Sequence, residues 1–146
     1  MSGRNAVFVA PQGPVDAASG DFGQLVASGG HDRLIRDVVS VLYRDGLVER
    51  PVIGAQALTS RSGGYAAAAT LVEDAPFAAL HLFDSVYGYV STFEDYAAGG
   101  GVLFSNYSAY GGTVTKERML ALEGVHLGDG QLALPGLLPA QRAGRG

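Results

Sequence analysis

The feature that most constrains this chain is an alternation. Short apolar runs at Ala6–Ala10, Pro51–Thr59, Phe77–Phe83 and Val102–Phe104 are separated by stretches with helical character. Between His31 and Asp45, Leu34, Ile35, Val38, Val41 and Leu42 recur on one helical stripe, and Gly46 supplies a left-handed stop. An alanine-rich stretch from Tyr65 to about Glu73 follows the second run, a short helix is expected within Val86 to Tyr96, and another from about Thr115 to Glu123. Runs that are apolar throughout suit strands buried on both faces, and strands interleaved with helices join through right-handed crossovers. The order predicts an α/β fold, a mostly parallel sheet flanked by helices in three layers. Val125-His126-Leu127 is a candidate for a last short strand.

The 146 residues make one domain, expected over 1–131, with residues 132–146, apolar and then Arg/Gly-rich, as a flexible tail. An apolar content of 47% argues against a disordered chain. A net charge of −4 with a single lysine, Lys116, gives no electrostatic footprint for nucleic acid. Zero cysteines exclude a disulfide framework and thiolate chemistry. The histidines are far apart and no His-Glu-x-x-His occurs, so neither a metal nor any other cofactor is expected. No run reaches the ~20 apolar residues of a membrane span, and the N-terminal run is too short for a signal sequence. A cytoplasmic protein is the default expectation.

Ser60-Arg61-Ser62-Gly63-Gly64 is where chemistry concentrates. It has the form small-x-Ser-x-small between an expected strand and an expected helix, the setting of a nucleophile elbow. The strained turn lifts the serine hydroxyl above the sheet, and the helix start places the Gly63 N–H where an oxyanion would form. The plainer alternative is a glycine-rich turn in which Ser62 caps the helix. Arg61 offers a charge for an anionic group, or is a solvated side chain.

A serine nucleophile needs a base. His31, at a helix start, reads as a polar surface or capping group, and His81, within an apolar strand, as a satisfied core residue. His126 follows the last helix. Asp84 ends the third run, at the strand edge where ligand sites assemble in open α/β sheets, or caps the helix that follows. Ser62, Asp84 and His126 then stand in the chain order expected of a hydrolase triad.

Val7-Phe8-Val9-Ala10-Pro11-Gln12-Gly13-Pro14, the turn from Ser60 to Tyr65, and Leu82-Phe83-Asp84-Ser85-Val86-Tyr87-Gly88 together resemble an α/β-hydrolase-fold protein over roughly residues 6 to 126. The resemblance implies a serine hydrolase acting on a small ester or amide through an acyl-enzyme. It carries Ser62 as nucleophile and Gly63 as an oxyanion donor, with Asp84 and His126 following by order and Gln12 placed to supply a second donor. The sequence departs from the family at Ser60 and Arg61, which stand in the first two places of the elbow, and in lacking the earlier strands and oxyanion loop. The competing expectation is an inactive or truncated hydrolase-like module that binds an anion or a partner chain. A shortened sheet also leaves an edge for a second copy or a partner chain to complete.

Overall fold

The computed structural model describes residues 6–18 and 20–106, together with the backbone of 126–128 and 131–133. After an irregular N-terminal segment, α1 spans Gly30–Arg44. Its ends complement the helix dipole, with Asp32 in the first turn and Arg44 in the last. Past Asp45 the chain turns at Gly46 with φ +71°, and the N–H groups of Gly46 and Leu47 bond back to the carbonyls of Tyr43 and Leu42. That double closure satisfies carbonyls which a helix end otherwise leaves bare.

Then come β1 (Ala57–Arg61), α2 (Tyr65–Asp74), β2 (Ala79–Phe83), α3 (Val90–Ala98) and β3 (Val102–Asn106). These strands pair in parallel, so that Arg61, Phe83 and Asn106 reach the same level. β4 (His126–Gly128) and β5 (Gln131–Ala133) form an antiparallel pair. β5 docks antiparallel on β3, which gives the order β1-β2-β3-β5-β4. The architecture is therefore the α/β class that the alternation predicts, a mainly parallel sheet flanked by helices.

The core explains the alanine-rich helix. Leu80, Leu82 and Leu103 point from one sheet face into Ala68 and Ala69 of α2, Phe93 of α3 and Val86, all of them buried. Small side chains on α2 let its backbone approach the sheet closely, and Phe93, fully buried, fills the space beside it. The alternate residues face the other way. There the His81 ring lies 4.0 Å from Phe83 and 5.6 Å from Phe104, centroid to centroid.

Several expected boundaries move. Residues 6–10 form no strand, and Val7 and Phe8 stay 57% and 88% exposed. A β-prone run becomes a strand only where a partner supplies the ladder. The second run pairs only from Ala57 because its partner begins at Ala79, leaving Val52 exposed before it. The short helix begins at Val90, within its expected span, and runs two residues past it to Ala98. Residues 131–133, the last two of them expected in the tail, form β5 instead. The helix expected over 115–123 lies outside the described residues. Among the described residues no helix is long and apolar enough to cross a membrane.

Candidate functional site at the carboxyl edge

The site follows from the common register. One residue beyond the level of Arg61, Phe83 and Asn106, β1 continues into Ser62 and β2 into Asp84. Both have left-handed backbones, φ +49° at Ser62 and +44° at Asp84. A side-chain-bearing residue held there costs about 1–3 kcal/mol, which the surroundings must offset. Neighbouring strands lie about 5 Å apart, so a hydroxyl-bearing and a carboxyl-bearing residue leave the sheet side by side. From Ser62 the chain runs through a single 3-10 turn, Ser62–Gly64, directly into α2. The Gly63 N–H thus belongs to the start of a helix, where unsatisfied donors gather.

Buried hydroxyls brace the turn. Ser85, fully buried, donates through Oγ to the Ser62 carbonyl at 3.0 Å and lies 2.7 Å from Ser60 Oγ. With the Ser85 proton committed to that carbonyl, Ser60 is the donor in the second bond. The Ser60 side chain is buried on the sheet face it shares with Leu82 and packs directly against the turn. Its position favours the glycine at the far end, since a methyl group on Gly64 would sit 3.0 Å from Ser60 Oγ. Asp84 is fixed through its backbone, its N–H donating to the Asn106 carbonyl at 2.7 Å.

The N-terminal loop closes on the same place. Gly20, with φ +86°, lies so near that a methyl group would meet the Gly63 carbonyl at 2.5 Å, and Gly13 packs as closely on the Asp21 carbonyl. Gln12 precedes this packed loop and is itself exposed. Arg61 is exposed on the face opposite buried Ser60. Tyr65 opens α2 with Tyr87 and Tyr89 around it at 5.7 and 6.0 Å, and Gly88 packs against its ring.

The histidines are elsewhere. His31, expected as a polar surface or capping group, lies in the first turn of α1 but is buried at the opposite edge, with Nε2 3.0 Å from Gln56 Oε1 and its ring edge-on to Phe77, residues that precede β1 and β2. His81 projects from β2 and accepts at Nε2 from the Asn106 amide at 3.2 Å, and burial lowers its pKa. His126 opens β4, at the level of Phe104 and four strands from β1, about 19 Å across the sheet. The structure brings Ser62, Gly63 and Asp84 together and leaves the His126 backbone well beyond hydrogen-bonding distance of them.

A cavity of about 370 Å³ lies at the amino edge, lined by residues including Phe77, Ala78, Tyr96 and Gly101, so it is not part of this site. Among the described residues no three His, Asp or Glu side chains gather as a metal site would require. Sequence reasoning missed Ser85, whose role arises from contacts across 23 and 25 residues that no local pattern reveals. Searches for similarity find no matching family model, no matching curated protein and no matching solved structure.

Proposed function

We propose that the chain is a small hydrolase-like α/β protein in which Ser62 attacks an ester or amide carbonyl. The observation that carries this reading is the left-handed Ser62 backbone between a parallel strand and a helix. Such strain persists where the surroundings enforce it, and it concentrates at reactive positions. In the reaction Ser62 Oγ bonds to the acyl carbon while its proton passes to a base. The Gly63 N–H stabilises the oxyanion, the alcohol or amine departs, and water releases the acyl group. Asp84 stands beside the nucleophile, placed to orient a base or hold a polar part of the substrate. The hydrolase resemblance gives the base role to His126.

The separation of His126 from Ser62 favours a second reading, a module of the same fold that binds an anionic ligand or a partner chain without turnover. Arg61 and the α2 start would then contact the anion, and a second copy or partner would pair with the sheet edge at β1. Labelling with a fluorophosphonate and mass mapping separates the two. Stoichiometric modification at Ser62, absent in Ser62→Ala, is the expected result. A folded protein that takes no label turns the assignment to binding. Labelling that survives His126→Ala gives the proton to another group, and labelling lost in that variant brings the imidazole to Ser62 in solution.

A further inference from the structure

We propose that Ser85 is a positioning residue for Ser62, holding its backbone in the left-handed conformation through a relay that runs from the Ser60 hydroxyl to the Ser85 hydroxyl to the Ser62 carbonyl. The kinetic consequence rests on Ser62 being the reactive hydroxyl; the conformational consequence does not. Three observations converge. Ser85 is fully buried, in a place where a hydroxyl without partners would be costly, and its hydroxyl hydrogen-bonds to Ser60 near the end of β1 and to Ser62 in the turn that follows. The acceptor is the carbonyl of the strained residue itself. The geometry upstream is equally specific, because Ser60 Oγ approaches Ser85 at 2.7 Å in space that a methyl group at position 64 would crowd, 3.0 Å from the Ser60 oxygen.

The direction of the relay follows from proton counting. A carbonyl only accepts, so Ser85 must donate to Ser62, and its oxygen is then free to accept from Ser60. Donation from Ser60 polarises the Ser85 O–H and strengthens its bond to the carbonyl. Ser85 also follows Asp84 directly, so the strand that presents the carboxyl group holds the neighbouring turn. A shift of the β2 end therefore reaches both groups together.

The test compares Ser85→Ala, Ser85→Cys and Ser60→Ala with the native chain, through the Ser62 carbon chemical shifts and the fluorophosphonate kinetics. Cysteine nearly matches serine in size but is a weak donor, so it separates filling the space from holding the carbonyl. Ser85→Ala and Ser85→Cys are expected to move the Ser62 Cα and carbonyl shifts away from left-handed values. Both should also slow the maximal labelling rate about fivefold to tenfold, with the reagent concentration at half-maximal rate unchanged. Ser60→Ala, which leaves the second bond intact, should slow it about twofold. Unchanged Ser62 shifts in folded Ser85→Ala or Ser85→Cys overturn the proposal, as does a loss confined to thermal stability. If Ser85→Ala does not fold, the cysteine and Ser60 variants decide. A native chain that takes no label at Ser62 removes the hydrolase reading, and the shifts alone then decide whether Ser85 positions the turn.

Discussion

At the scale of single residues, Gly20 and Gly54 make an informative pair. A methyl group at Gly20 would meet the Gly63 carbonyl in a left-handed backbone, whereas at Gly54 it would meet nothing within 4 Å. Gly20→Ala is expected to lower unfolding stability by about 1–3 kcal/mol. Gly54→Ala should stay within about 0.5 kcal/mol of the native chain, both read from urea melts. Gly64→Ala tests the fit against Ser60. Its cost should shrink in a Ser60→Ala background, and a double-mutant cycle with no coupling between the two would contradict the packing described. The passage from strand through a tight turn into a helix at Ser62 was legible in the sequence because turn chemistry is local: Ser60, Gly63 and Gly64 are small residues set between an apolar run and an alanine-rich stretch. The burial of His31 was not legible, since it depends on Gln56 and Phe77, which the chain brings back only after folding.

At the scale of elements, β2 carries the most. Its inward leucines sit at the centre of the core, its outward His81 lies among aromatic rings, and its end presents Asp84. Burial lowers the His81 pKa below its ordinary value of 6.5, so the unfolded chain takes up the proton first. The associated stability is complete above about pH 6.5 and is lost as the pH falls from there through the folded value. Protonation also converts Nε2 from acceptor to donor opposite the Asn106 amide. The urea midpoint should therefore fall further between pH 7.5 and 5.5 in the native chain than in His81→Gln, where the remaining groups still titrate. α3 contributes one fully buried side chain, Phe93, with Val90, Tyr96 and Ala97 packed against the core beside it. Phe93→Ala is expected to cost about 3–5 kcal/mol, measured by thermal or urea unfolding. Strands and helices within 57–106 were readable because each is local, flanked by turn residues and patterned for burial. The run at residues 6–10 carries the same composition without a ladder to join, and composition alone does not supply one.

For the whole molecule, the β1-α2-β2-α3-β3 succession follows from the sequence order, since parallel neighbours with short crossovers leave little choice of topology. The position of His126 does not follow. Chain order places it after Ser62 and Asp84, as a triad requires, yet pairing inserts β5 between β3 and β4 and carries His126 one strand further out. That insertion has a bearing on assembly. The last strand described along the chain is an interior strand of the finished sheet, so during synthesis β3 keeps a bare flank until residues 131–133 emerge and slot in. Chains halted between about 106 and 131 would lack the strand that pairs with β3 and would carry its backbone donors and acceptors unmatched by β5, the kind of edge that favours misassembly.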